Sequence, residues 1–233
     1  MKYDPAWVEA MKSHVKGGSF ERKIAGDLSD WLTFGASNRV LWRNPNSGAM
    51  AHRLSSEQSH WVGGDIGVLD RDCAQAVEYV RLFHTELKHW RCLEWHRFIQ
   101  HEGMLWQTWV KTKVLAEQEG RLPLVIARQN RQPDMLLMRA ELSQALAMFP
   151  EVITFWNKVA VCSFADLLRT DPITVLNLSR GALLHVSQLI RDQTATAVHV
   201  EGEPAATRLE GPAGGADVPR SSQRLRLKRR IPT

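Results

Sequence analysis

Two apolar runs, residues 122–127 (LPLVIA) and 135–138 (MLLM), stand on either side of the turn residues NRQPD, and this pattern predicts a buried hairpin. A hairpin with so little polar surface needs cover, and the flanking sequence offers it as helices. From residue 17 the chain reads GGSFERKIAGDLSDWLTFGA, with Phe20, Ile24, Leu28, Trp31 and Leu32 at helical spacing. Ser19 suits an N-cap and Gly35 a terminator, which predicts an amphipathic helix of about fourteen residues. Three strand candidates come next. They are residues 39–42 (RVLW), running into the turn-rich RNPNSG; residues 60–70 (HWVGGDIGVLD), alternating around Gly63 and Gly64; and residues 79–90 (YVRLFHTELKHW), reached by a loop around Asp72 to Ala76.

Residues 94–119 carry Leu105, Trp106, Trp109, Val110, Val114 and Leu115 on one helical face, with a break at Gly103 and an end at Gly120. After the hairpin come a short helix over 140–149, a strand over 159–161 and a short helix over 164–169. The order helix, three strands, helix, two strands predicts an α/β chain with a central mixed sheet flanked by helices. The expected organisation is one domain over residues 1–172, a helical extension over 173–199, and a disordered Gly/Pro/Ala-rich linker with a basic tail over 200–233.

The 233 residues suffice for one sizeable core, and their net charge of +5 is unevenly placed. Residues 1–139 hold 19 basic and 16 acidic side chains, residues 140–219 hold 5 and 9, and residues 220–233 hold 6 and 0. Residues 1–219 therefore sum to −1, so any pull on an anionic partner that comes from net charge belongs to the tail. Cys73, Cys92 and Cys162 are odd in number and widely spaced, which argues against a disulfide framework or a zinc knuckle. The first residues are polar, unlike a signal peptide, and no window reaches the ~18–20 apolar residues of a membrane helix. The expectation is no membrane partner and a reducing compartment.

The residues with chemical promise are Asp65 after the glycine pair, Glu86 and Lys88 in TELKH, and Glu21 on the first helix. Along a strand, side chains at i and i+2 share a face, so Glu86 and Lys88 project together while Leu87 turns inward. If the strand of Asp65 lies beside that of Glu86, two carboxylates and an ammonium converge. Such oxygen-rich settings hold hard divalent ions, which contact phosphate oxygens and activate water. Lys88 is placed to hold that water or to offset phosphoryl charge, and Glu21 to complete or orient the ligand set.

This pattern resembles the PD-(D/E)XK, or restriction-endonuclease-like, nuclease superfamily, and the element order over residues 17–130 resembles it as well. The first-helix SFER, the Ser-Gly loop and the GDI segment are most similar to Holliday-junction-resolvase-like and phage-borne members. The resemblance implies Glu21 as the helix acid, Asp65 and Glu86 as the motif acids, Lys88 as the motif lysine and Ser47 as the loop serine near the scissile phosphate. It implies a DNA endonuclease dependent on Mg²⁺, with Mn²⁺ able to substitute, a homodimer by analogy, and the cytoplasm of a bacterial or phage-infected cell; it leaves the DNA structure open, with branched or junction DNA as one candidate. Gly64 stands where the pattern carries Pro.

Bland readings stand beside each of these. A lone Glu-x-Lys triplet means almost nothing, and the coincidence with Asp65 and Glu21 gives it weight. Trp31, Trp42, Trp61, Trp90, Trp106 and Trp109 read as core, whereas Trp95 in EWHR reads as exposed. His84, His89, His96 and His101 flank the motif without metal-ligand spacing, His89 being first among them because it follows Lys88, and Asp70 reads as a loop-entry residue. Candidate DNA contacts are Arg43 and Arg53 around the Ser-Gly loop, Lys111 and Lys113 on the second helix, and Arg128 and Arg131 after the fourth strand. The competing readings are a DNA-binding or assembly protein that keeps the fold without catalysis, and a nuclease of RNA.

Overall fold

The computed structural model describes residues 5–44, 61–146, 153–155 and 158–200. Ser47, Arg53 and the tail from residue 201 lie outside the described residues. Residues Met1–Thr194 group as one compact unit.

Helix α1 (Pro5–Leu32) runs first and begins well before Ser19. Pro5 suits a first helical turn, where its missing N–H costs no hydrogen bond. The Gly17-Gly18 pair, a boundary by its sequence, is interior to the helix, and Gly18 leaves room for the Arg43 guanidinium. At the far end Gly35 adopts φ +81° and its N–H bonds the Asp30 carbonyl at 2.7 Å, ending the helix as expected. Phe20, Ile24, Leu28 and Leu32 form the buried stripe.

Strands β1 (Leu41–Arg43), β2 (Val62–Gly63) and β3 (Ile66–Val68) make a small antiparallel sheet in the order β1-β3-β2. The single strand expected over residues 60–70 is thus a tight hairpin, with Val62 opposite Gly67, Gly63 opposite Ile66, and Gly64-Asp65 at its turn. Ser29, fully buried, ties β1 to α1 by donating to the Ala25 carbonyl at 2.7 Å and accepting from the Leu41 N–H at 2.9 Å. Trp42 corrects the core expectation: it is 38% exposed and lies over Gly67 on the neighbouring strand.

Helix α2 (Ala74–Leu82) replaces the first part of the strand expected over 79–90 and takes up part of the preceding loop. Ala76, Tyr79 and Val80 are buried on one side of it, so helical spacing decides there and strand alternation only afterwards. Strand β4 (Phe83–Trp90) comes next, then α3 (Trp95–Ile99), α4 (Gly103–Gln118), β5 (Leu122–Gln129), β6 (Met135–Arg139) and α5 (Ala140–Ala145). The last elements are β7 (Ile153–Phe155), β8 (Val159–Ser163), α6 (Phe164–Arg169) and α7 (Pro172–Val200). Gly103 at φ +79° and Gly120 at φ +65° break and end the α3–α4 stretch at the positions expected of them. Strand β7 has no counterpart among the strands expected from the sequence.

The main sheet runs β4-β5-β6-β8-β7, parallel between β4 and β5 and antiparallel elsewhere, so the mixed sheet flanked by helices is the observed fold. Its two faces carry separate apolar cores. Leu124, Ile126, Leu136 and Cys162 pack with α1 and α2, while Val125, Ala127, Leu137 and Val161 pack with Phe98, Leu105 and Trp109 of α3 and α4. Alternate residues serve opposite cores, which is why the strands read as unbroken apolar runs.

Candidate active site

Gly63 and Gly64 bring the β2–β3 turn against β4. A Cβ at either would meet backbone, the Phe83 carbonyl oxygen for Gly63 and the Thr85 carbonyl oxygen for Gly64. Gly64 also adopts φ +74°, which proline cannot reach, so the departure from the family pattern at this position has a conformational reason. The result is a parallel bridge between Gly64 and Thr85.

That bridge fixes Asp65 on both sides. Its N–H donates to the Thr85 carbonyl at 2.8 Å, and its carbonyl accepts from the Asn44 N–H at 2.7 Å. The Asn44 side-chain amide reaches the Gly64 carbonyl at 3.1 Å. The Asp65 carboxylate is buried, the residue being 4% exposed, and its Oδ2 accepts from the Leu87 N–H on the outer edge of β4 at 2.7 Å. Arg121 leaves the α4–β5 turn to bond the Val62 carbonyl and, at 3.1 Å, Glu119, anchoring the start of the hairpin. Asn44 and Arg121 are absent from the residues singled out in the sequence, since neither sits in a recognisable spacing.

Glu86 and Lys88 share a face of β4, as their spacing requires. The Lys88 Nζ stands 2.5 Å from Glu86 Oε1, 3.2 Å from the Leu87 carbonyl oxygen and 3.8 Å from Asp65 Oδ2. Burial works against the charge on Lys88, but Glu86, Asp65 and Glu21 outweigh it and raise its pKa above the usual lysine value. The structure therefore brings Asp65, Glu86 and Lys88 together. Glu21 stands nearby on α1, close enough for its charge to act on Lys88, and is held by Arg43 at 3.2 Å. Among the described residues no group of three or more His, Cys, Asp or Glu side chains is gathered as a metal cluster.

The donor chemistry nonetheless fits a hard divalent ion. Two carboxylate oxygens and one backbone carbonyl already surround a cation, the Lys88 ammonium, whose side chain is 35% exposed and has a path outward. An ion there would take Asp65, Glu86 and the Leu87 carbonyl as its protein ligands.

The remaining candidates fall elsewhere. Lys111 is exposed on α4, and Lys113 pairs with Glu117 at 3.7 Å. Arg128 is gripped by both carboxylate oxygens of Asp134 and lies over the Phe20 ring at 4.8 Å, a packed position for a residue expected at a DNA surface. His84 bonds Glu119 at 2.8 Å, and His89 bonds Asn130 at 3.0 Å while packing on Phe20. Asp70 accepts from the Asp72 N–H at 3.0 Å, as a loop-entry residue does. No curated protein and no solved structure matches the chain. Residues 12–167, most of the two-core domain and all of the Asp65, Glu86 and Lys88 cluster, match the family described as "phage putative PDDEXK endonuclease", and the chain belongs to that family of phage-type PD-(D/E)XK nucleases.

Proposed function

We propose that this chain is a divalent-metal-dependent deoxyribonuclease that hydrolyses phosphodiester bonds, using Mg²⁺ with Mn²⁺ as a substitute. The observation that carries the reading is the convergence of Glu86, Asp65 and the Leu87 carbonyl on one cation position within 3.8 Å. A bound metal ion supplies a lowered water pKa and charge neutralisation at the phosphoryl group. Asp65 and Glu86 hold it. Lys88, whose Nζ lies beside the same oxygens, would orient the attacking water or face the charge that develops on phosphorus. Glu21 fixes Arg43 beside the site, where the guanidinium can meet a DNA phosphate. Ser47, Arg53, Lys111, Lys113 and Arg128 are the further DNA contacts of this reading, and the tail of residues 220–233 adds salt-dependent affinity. Branched or junction DNA as substrate, and a homodimer to treat two strands, are its finer form.

The test is nicking of supercoiled plasmid and cleavage of a four-way junction with Mg²⁺, with Mn²⁺ and with EDTA. Wild-type protein is expected to cleave in either metal and to stop in EDTA. Glu86→Ala and Lys88→Ala should each lose on the order of 100-fold or more in rate while DNA binding persists. Linear, branched and supercoiled DNA all left intact in both metals would overturn the proposal.

A further inference from the structure

We propose that the aromatic side chains at the end of β4 and on α3 and α4 form a ledge on which an unpaired base of single-stranded DNA stacks, next to the Lys88 site. This rests on the nuclease reading and names a structural class of DNA for it. Trp90 is the next residue on the β4 face that carries Glu86 and Lys88, about 7 Å along the strand. Beyond it Trp95 meets Phe98 edge-to-face at 5.7 Å, and Phe98 meets Trp106 at 5.9 Å. His101 lies on Trp106 at 4.5 Å with 38° between the rings. Phe98 is fully buried, whereas Trp90, Trp95 and Trp106 are half-buried and His101 is exposed.

Three features mark this as more than core cover. The indole N–H groups of Trp90 and Trp95 have no protein partner among the described residues and are not sealed from solvent, so they are open to an acceptor on a ligand. The short helix carrying Trp95 is bracketed by two non-glycine residues in the left-handed region, Glu94 at φ +43° and His101 at φ +60°. Backbone strain of this kind gathers at functional positions. Finally, the guanidinium of this helix is already answered: Arg97 meets Glu94 at 3.6 Å and Glu102 at 3.8 Å, and the three side chains sum to −1. A surface of rings whose guanidinium is already paired suits bases and not a phosphate backbone, because every base presents a π-face and stacking tolerates any sequence.

The experiment measures anisotropy of a labelled oligo(dT) of about fifteen nucleotides, within the span one single-strand site covers, and of a blunt duplex, in EDTA and over a range of salt. It compares wild type, Trp95→Leu, Trp106→Leu and Trp95→Phe. The leucine variants keep apolar cover over Phe98 without a stacking ring. They are expected to weaken oligo(dT) binding by about 5- to 100-fold, leaving duplex affinity and the salt slope as in wild type. Trp95→Phe, which retains a ring, should stay within about threefold of wild type and shows that loss in the leucine variants is not misfolding. Unchanged oligo(dT) affinity in both leucine variants, or equal losses for oligo(dT) and duplex, would overturn the ledge. Wild-type protein that cleaves duplex in Mg²⁺ but does not bind oligo(dT) removes the ledge alone; wild-type protein that leaves every DNA intact in both Mg²⁺ and Mn²⁺ removes the nuclease reading with it.

Discussion

Gly64 carries a constraint out of proportion to its size. It holds φ +74°, and the space of its missing Cβ is taken by the Thr85 carbonyl, so the turn that delivers Asp65 to β4 is built on the absence of a side chain. Gly64→Ala is expected to cost about 1–3 kcal/mol, the scale of a strained residue at a functional site, and to push Asp65 off the Leu87 N–H. Urea unfolding and plasmid cleavage read the two effects together, and a variant of wild-type stability with full activity would show that the turn relaxes freely. Glu86 and Lys88 were legible as a pair because strand alternation dictates which side chains share a face, whereas Asp65, expected on a strand, stands at the β2–β3 turn. The role of Glu21 was less so. Its helix and its acidity were readable, but its Arg43 partner arrives from β1, 22 residues later, and no local pattern announces that pairing.

At the scale of elements, legibility tracks how many faces a segment buries. Strands β5 and β6 read correctly because Leu124 and Ile126 serve one core while Val125 and Ala127 serve the other, leaving no polar positions to confuse the pattern. Residues 79–82 misled because Tyr79, Val80 and Leu82 satisfy alternation loosely and helical spacing well, and burial against α1 and the sheet settles it as helix. The start of α1 was hidden by Gly17-Gly18. Glycine inside a helix costs roughly 1 kcal/mol relative to alanine, which is why it reads as a boundary. Here that cost is accepted because glycine leaves room for the Arg43 side chain crossing the helix. Tertiary contacts of this sort lie beyond any window of neighbouring residues.

For the molecule as a whole, the core shared by α1 and α2 holds groups that must stay neutral. Burial pushes the Cys162 thiol up to about 12, with a further push from Asp166, and raises Tyr79 well above its ordinary value against a hydrogen bond from Thr85 that acts the other way. Both acids are protonated in the fold and ionise first in the unfolded chain. Their stabilisation is complete below about pH 8.5 for the cysteine and about pH 10 for the tyrosine, and is lost as pH rises through and beyond those values, at up to about 1.4 kcal/mol per pH unit for each group. Chemical unfolding between about pH 8 and 11 should show steadily falling stability. Native thiol labelling near pH 8, about where an exposed thiol begins to ionise, should modify exposed Cys92 first and leave buried Cys162 unreacted until the chain unfolds. Rapid labelling of Cys162 in the folded protein would contradict the sealed core.

The hydrogen bond from the Leu87 N–H to Asp65 Oδ2 also bears on how this protein avoids its own kind. One edge of β4 pairs with β5; along the other, the bridge at Gly64–Thr85 and this carboxylate occupy donors and acceptors that a foreign strand would otherwise use. An open strand edge is a template for intermolecular pairing. The acid proposed for catalysis would then also guard this strand edge against pairing with another chain. Asp65→Asn keeps an oxygen for Leu87 and should remain monodisperse, whereas Asp65→Ala, equally inactive, should scatter light and form higher oligomers on concentration. Identical solution behaviour of the two would assign the guarding to the Gly64–Thr85 bridge alone.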